Sequence, residues 1–134
     1  MTALTALLGF TAWTLLLVFI VLFYRTGVVM VQRKPANSWP RGAQPEEGLM
    51  TRIGHAHLNC LETLPMFAAV VLAAHAMVKA SVVDAVATWV LLARIAQSLT
   101  HMVGVTHWLV FIRANFFAVQ LLLLAYMTWR LLAG

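Results

Sequence analysis

Four long apolar stretches dominate this sequence and limit what it can fold into. They cover residues 3–24, 53–78, 82–103 and 114–133. A helix needs about 20 consecutive, mostly apolar residues to cross the hydrocarbon core of a bilayer. Because lipid offers no partner to backbone N–H and C=O groups, a spanning segment must be a helix or part of a closed barrel. We therefore predict an all-α integral membrane protein in which residues 1–134 form a single bundle of four transmembrane helices.

The composition excludes several soluble classes of protein. The chain is 63% hydrophobic and 10% charged, whereas soluble domains are about 45–50% apolar and about 25% charged. An ordinary soluble domain, a disordered chain and a disulfide-rich secreted scaffold are all excluded, and the single cysteine, Cys60, cannot form an intramolecular disulfide. The net charge of +5 comes from bases beside apolar stretches, so it indicates membrane orientation rather than nucleic acid binding.

Basic residues between the apolar stretches predict the orientation. The loop at residues 25–52 holds most of the Lys and Arg, and the connection at residues 104–113 ends in Arg113. The positive-inside rule places both in the cytoplasm and both termini on the opposite side, although Arg130 opposes this weakly. No base precedes the first stretch, so we expect it to be a membrane span and not a signal peptide. The first loop also contains helix-breaking residues, namely Pro35, Pro40, Gly42, Pro45 and Gly48.

Polar residues inside the stretches carry the functional information, because a charge in hydrocarbon usually faces a bundle interior or an aqueous cavity. Spacings of three and four residues place one set on a single face of the second helix: Arg52, His55, Asn59 and Glu62. The third and fourth helices carry similar sets: Arg94, Gln97, Ser98 and His101, then Arg113 and Gln120. Arginine binds carboxylates in bidentate fashion, and Asn and Gln pair with amides. The three faces therefore suit an anionic, peptide-like ligand.

Several of these residues allow a purely structural interpretation. Glu62 could neutralise Arg52 or Arg94, in which case the pair would only tie helices together. His57 lies nearly opposite the polar face, so packing or hydrogen bonding is expected for it. Pro65 predicts a kink in the second helix just beyond Glu62. Cys60 also lies off the polar face, and we expect it to be unreactive.

The second stretch resembles the signature of the membrane-associated proteins in eicosanoid and glutathione metabolism, the MAPEG family, and in particular its microsomal glutathione transferase-like members. That signature is an Asn, a Glu three residues later and a Pro one turn beyond, places held here by Asn59, Glu62 and Pro65. Arg94 is similar to the arginine of the family's third helix, and Arg113 to the one at the cytoplasmic start of its fourth helix. The resemblance covers nearly the whole chain.

The resemblance implies a homotrimer that binds glutathione between subunits near the cytoplasmic face, while lipophilic electrophiles approach from the bilayer. It implies a glutathione-dependent transferase or peroxidase, and we expect the protein to lie in a bacterial inner membrane. Arg113 would be catalytic, because a nearby cation lowers the pKa of a thiol and so stabilises the thiolate. The resemblance also implies a set of glutathione-binding residues: Arg33 or Lys34 from a neighbouring subunit, and Arg52, His55, Asn59, Glu62, Arg94 and His101.

Other functions remain open at this point. His55 and His101 stand where many members carry an arginine and a tyrosine, so a MAPEG-fold protein without glutathione activity is one alternative. A small proton-coupled multidrug transporter, in which Glu62 exchanges a proton for a cation, is a second. A haem or metal protein is a third, with candidate ligands among His55, His57, Cys60, His75 and His101. A purely structural membrane protein is the fourth.

Overall fold

The four predicted spans form four helices in the computed structural model, which describes residues 1–39 and 48–134. Each helix is long and apolar enough to cross a membrane. In chain order they are α1 (Ala3–Val31), α2 (Leu49–Ala76), α3 (Ala80–Val103) and α4 (His107–Ala133). A single turn of 3-10 helix, Ala36–Ser38, follows α1. Within the first loop, Pro40, Arg41, Gly42 and Pro45 lie outside the described residues.

Contacts between helix ends show that α1 and α3 run parallel to each other and that α2 runs in the opposite direction. At the start of α1, the Ala3 backbone N–H donates to Asp84 in the first turns of α3, at 2.7 Å. At the start of α2, Arg52 Nε donates to the carbonyl of Met102 near the end of α3, at 2.9 Å. We call the end where α2 and α4 begin the basic end, and the end that holds both chain termini the terminal end.

The third helix is the centre of the bundle. It packs against all three other helices, whereas α4 rests mainly on α3 and makes a smaller contact with α2. The core between α1, α2 and α3 includes Phe10 and Phe67, whose ring centroids are 5.5 Å apart. Gly9 of α1 makes room for the Leu91 side chain of α3, since a Cβ there would lie 2.9 Å from Leu91 Cδ2.

The helix boundaries differ from those predicted at the basic end. The first helix ends at Val31 and not near residue 24, and α4 begins at His107 and not near residue 114. Hydropathy locates the membrane-crossing part of a helix, but capping decides where the helix begins. The side chain of Thr106 accepts a hydrogen bond from the Leu109 N–H and so caps α4. Arg113 consequently lies inside α4, two turns from its start.

Candidate functional site

A cavity of about 220 Å³ opens among α2, α3 and α4 in the half of the bundle nearer the basic end. We call it the polar cavity. All three helices that were expected to carry polar faces contribute to its lining, which consists of Asn59, Glu62, Gln97, Arg113, Ala114 and Phe117. It combines one carboxylate, one guanidinium and two amides, which suits a ligand with both charges and a peptide bond.

Glu62 and Arg113 bring opposite charges to this one cavity from α2 and α4. Glu62 is exposed and lies about halfway along α2, and Arg113 is half-buried. The arginines that could have neutralised Glu62 bind elsewhere among the described residues: Arg52 donates to Met102, and Arg94 donates to Thr63 Oγ1. The helix-tying ion pair considered above is therefore not what holds these three residues, and the Glu62 carboxylate is available to a ligand.

A histidine pair lies beside the polar cavity toward the basic end. Asn59 Nδ2 is 3.3 Å from Nδ1 of His101, which is almost completely buried in α3. The ring of His55 lies 5.8 Å from that of His101, measured between centroids. If Asn59 donates in this contact, His101 Nδ1 is the acceptor and Asn59 Oδ1 is left for a ligand. Of these three residues, Asn59 lines the cavity; His101 contacts Asn59, and His55 packs against His101.

Arg94 lies in the core of the bundle and not at the cavity wall. It is completely buried, and its Cζ is 5.6 Å from the centroid of the Phe10 ring in α1. Its hydrogen bond to Thr63 joins α3 to α2, while Nε and Nη1 have no partner among the described residues. Arg94 therefore contacts both α1 and α2, and any influence on a ligand would act through the residues packed around it.

Arg33 is not among the residues that line the polar cavity. It follows the end of α1, is exposed, and has a positive φ of 54°. Nearby, Lys34 Nζ and Arg25 Cζ lie 5.1 Å and 5.5 Å from the ring of Trp39. This arrangement gathers three bases and an aromatic ring where α1 emerges at the basic end.

Two glutamines, predicted on the polar faces but not selected as site residues, form a buried pair next to the cavity. Gln120 Nε2 of α4 donates to Gln97 Oε1 of α3 at 2.7 Å and to the Phe116 carbonyl at 3.0 Å. Gln97 itself lines the cavity. The sequence signal was its position on the same helical face as Arg94 and His101.

An apolar groove lies between α2 and α4, on the side of the polar cavity toward the terminal end. Its volume is about 620 Å³, and its lining includes Met66, Val70, Leu121, Leu124 and Trp129. Met66 and Leu121 each lie four residues, about one turn, beyond the cavity residues Glu62 and Phe117. A polar cavity and an apolar groove thus follow one another along the same two helices, α2 and α4.

The remaining histidines and the cysteine lie away from the cavity. His57 Nδ1 is 3.2 Å from the Thr14 carbonyl of α1, and His75 Nδ1 is 2.9 Å from the Val71 carbonyl of its own helix. Cys60 is completely buried, with Sγ 3.8 Å from Ser98 Oγ. Within residues 1–39 and 48–134, no group of three or more His, Cys, Asp or Glu side chains is arranged to hold a metal ion.

A comparison with protein families gives one match. The family model described as the MAPEG family matches residues 3–133 of the 134-residue chain. That range includes all four helices and every residue that lines the polar cavity. No curated protein and no solved structure matches the chain.

Proposed function

The chain belongs to the MAPEG family, and from this premise we propose that it is a membrane-embedded, glutathione-dependent transferase or peroxidase acting on lipophilic electrophiles. The family includes glutathione transferases and related eicosanoid enzymes. The observation that carries the proposal is the polar cavity, in which Glu62 and Asn59 face Arg113 inside a membrane bundle. Charged and amide groups are costly at this depth unless they face a cavity or a partner, and they commonly mark a functional site.

In this proposal each cavity residue binds a different part of glutathione. Glu62 accepts hydrogen bonds from the ammonium group, and Asn59 pairs with the peptide backbone. Arg113 binds the thiolate. A free thiol has a pKa of about 8.5, and a guanidinium within hydrogen-bond reach lowers it by one to three units. A shift of about two units makes the thiolate the main species near neutral pH, and the thiolate is the nucleophile.

The apolar groove supports a lipophilic second substrate. Its volume of about 620 Å³ lies within the range of about 300–1,000 Å³ that is usual for small-molecule sites. Because the groove begins about one turn beyond Glu62, an electrophile bound in it could approach a thiolate held at Arg113 along α2 and α4. The sulfur would then form a bond to the electrophilic carbon as the leaving group departs with its electron pair.

The cavity of one subunit supports the further proposal that neighbouring copies complete the site in a homotrimer. Its volume of about 220 Å³ is below the usual range for a ligand of this size. Glu62 is also exposed halfway along a membrane helix, where an uncovered carboxylate would face lipid at high cost. A second copy would cover it, and Arg33 from that copy would bind a glutathione carboxylate.

The other predicted residues take supporting roles in this proposal. Arg52 fixes the start of α2 against α3, and His55 and His101 support Asn59. Arg94 holds α2 and α3 together through Thr63. We further propose a bacterial inner membrane location, with the basic end and its site on the cytoplasmic side and both termini on the other side, because bases concentrate at that end.

A competing function has one observation in its favour. The Glu62 carboxylate is exposed, and no ion pair with another described residue engages it, as a proton-coupled exchanger of cations would require. Arg113 in the same cavity opposes this, because a guanidinium would repel a cationic substrate. A MAPEG-fold protein without glutathione chemistry is the remaining alternative.

Ligand-dependent unfolding of the detergent-purified protein separates these functions. Glutathione at 100 times its Kd should stabilise the protein by about 2.7 kcal/mol, which raises the unfolding temperature. We expect Glu62→Gln and Arg113→Ala to reduce the shift. Arg130→Ala is the matched control, because it also removes an arginine from α4 but at the terminal end, and it should leave the shift unchanged.

Two results would count against the proposed enzyme. The absence of a shift in the wild-type protein at any glutathione concentration would eliminate glutathione as its ligand. A shift with lipophilic cations that Glu62→Gln abolishes would favour the exchanger. If glutathione does bind, turnover of a lipophilic electrophile and of a lipid hydroperoxide would distinguish transferase from peroxidase.

A further inference from the structure

The orientation of the Gln97 side chain is set by a buried neighbour. The Phe116 carbonyl can only accept a hydrogen bond, so the Gln120 atom 3.0 Å from it must be the nitrogen, Nε2. The same nitrogen lies 2.7 Å from the side chain of Gln97. Because this nitrogen donates, the Gln97 atom that faces it must be the oxygen, Oε1. The two amides therefore have a defined orientation in spite of the near-equivalence of their O and N atoms.

This orientation leaves the Gln97 amide nitrogen unused. Among the described residues, the bond from Gln120 is the one hydrogen bond that the Gln97 side chain makes. Gln97 is 4% exposed and lines the polar cavity. With Oε1 turned toward α4, its two N–H groups have no described partner and are the donors that the amide can offer to a ligand in the cavity.

We propose that Gln97 donates a hydrogen bond from Nε2 to the negatively charged end of the bound ligand, and that Gln120 is a positioning residue that keeps this donor directed into the polar cavity. The identity of the ligand as glutathione rests on the function proposed above. The acceptor is a carboxylate oxygen or the thiolate sulfur, both of which accept hydrogen bonds from an amide N–H.

The choice of the negative end follows from how donors and acceptors divide across the cavity. The wall formed by α2 offers the Glu62 carboxylate as an acceptor, and Asn59 Oδ1 as a second one when the Asn59 amide nitrogen donates to His101. The wall formed by α3 and α4 offers donors, Gln97 Nε2 and the Arg113 guanidinium. A zwitterionic ligand would therefore place its ammonium group against α2 and its anionic group between Gln97 and Arg113.

Gln120 is suited to positioning and not to direct binding. It is completely buried, and its Oε1 has no hydrogen-bond partner in the described part of the chain. It is also absent from the cavity lining. Its described side-chain hydrogen bonds are those to Gln97 and to the Phe116 carbonyl of its own helix. It can therefore affect a ligand in the polar cavity by holding Gln97 in place.

A double-mutant cycle on glutathione binding tests the proposal. Equilibrium binding to the full-length protein in detergent would be compared for wild type, Gln97→Met, Gln120→Met and the double variant. We expect Kd to rise about tenfold or more in Gln97→Met, since a hydrogen bond to a charged group is lost. Gln120→Met should raise Kd about threefold to fivefold because the donor is no longer held, an effect within the range of pairwise couplings. The double variant should bind no more weakly than Gln97→Met.

Gln97→Glu keeps the proposal testable if the methionine variants do not fold. It has the shape of glutamine and retains the oxygen that accepts from Gln120, but it replaces the donor with a second oxygen. We expect it to bind glutathione more weakly than Gln97→Met does. S-methylglutathione identifies the acceptor: an effect of Gln97→Met that persists with this thioether indicates an oxygen, and one that disappears indicates the thiolate, and both results support the donor role.

Several outcomes overturn the proposal and distinguish it from the proposed enzyme. Unchanged glutathione binding in Gln97→Met, or losses that simply multiply in the double variant, would reject the roles of Gln97 and Gln120 alone. Wild-type protein that binds no glutathione would reject both proposals. Binding that depends on Gln97 without turnover of any electrophile would keep the donor role and reject the transferase.

Discussion

The third and fourth helices have similar lengths and opposite relations to the rest of the bundle. In α3 nine residues are buried, and four of them are polar: Arg94, Gln97, Ser98 and His101. In α4 four residues are buried, while large apolar side chains are exposed, among them Trp108, Phe111, Leu122 and Trp129. The more polar helix is the centre of the fold, and the more apolar one is at its edge.

This difference reflects the solvent for which the chain is built. In water the burial of apolar surface would drive Trp and Leu side chains inward. Lipid tails are as apolar as leucine, so burial gains little for such residues in a membrane, and packing and hydrogen bonds hold the helices together instead. Polar residues then identify the faces of the helices that point into the bundle. A polar residue that is not buried, such as Glu62 or Arg113, is expected to bind a ligand or a partner subunit.

The largest expected effect concerns Arg94, the most deeply buried polar side chain of α3. We predict that Arg94→Ala lowers the free energy of unfolding by about 2–5 kcal/mol, because it leaves a large cavity and removes a bond between α2 and α3. Unfolding in mixed detergent micelles, followed by circular dichroism, would measure it. Leu122→Ala on α4, at a residue 70% exposed, is the control and should change stability by less than about 0.5 kcal/mol.

A second outcome of the same experiment would weaken the contrast between the helices. If Arg94→Ala unfolds like the wild type but no longer binds glutathione, Arg94 reaches the ligand directly and α3 is not primarily structural. Stability losses of similar size at Arg94 and Leu122 would show that burial does not separate the two helices.

Arg113 should behave in the opposite way, because it is a polar residue on the exposed helix. We predict that Arg113→Ala lowers kcat/KM for a lipophilic electrophile about 10- to 100-fold near pH 7, with little change in stability. The guanidinium lowers the thiol pKa, so its removal returns that pKa toward about 8.5. The activity of the variant should therefore rise with pH through that range, and the deficit should narrow above about pH 9.

The pH–rate profile decides between this role and a general loss of binding. A deficit that stays constant from pH 6 to pH 9.5 would contradict thiolate stabilisation by Arg113. Arg130→Ala provides the control for loss of charge on α4, since Arg130 lies at the terminal end and donates to Tyr126 within its own helix.

The contrast between α3 and α4 also shows which features of the fold and the site could be predicted from the sequence alone. The four spans follow from hydropathy, and the polar faces follow from the spacing of residues such as Asn59 and Glu62. The spacing could not say that Arg94 turns into the core while Gln97, three residues later, reaches the cavity. Both lie on one broad face, and the neighbouring helices decide which of them is covered. The roles of Gln97 and Gln120 depend on a contact between α3 and α4 that local periodicity does not encode.

Asp84 is a second polar residue of α3 whose role depends on a tertiary contact. It accepts a hydrogen bond from the Ala3 N–H, so a carboxylate from α3 satisfies a free donor at the start of α1. We predict that Asp84→Ala lowers stability by about 1 kcal/mol, as the loss of a helix cap does. Asp84→Asn keeps an acceptor and should lose less. Hydrogen exchange at the first turn of α1 would localise the effect, and unchanged protection there would contradict it.

The smallest expected effect is at Thr128 of α4, whose described side-chain hydrogen bond is to the backbone of its own helix. Its hydroxyl donates to the Leu124 carbonyl one turn earlier, and its side chain is exposed toward the apolar groove. Thr128→Val keeps the shape of the side chain and removes a hydrogen bond within one helix, so we predict a stability change of less than about 0.5 kcal/mol.

Thr63→Val is the matched control, because Thr63 is completely buried and accepts a hydrogen bond from Arg94. That change should destabilise by about 1–3 kcal/mol, since it removes the described partner of a buried guanidinium. Equal losses of stability at the two threonines would mean that a hydroxyl bonded within its own helix stabilises the protein as much as one bonded to another helix. The difference in stability that we expect between α3 and α4 would then be contradicted.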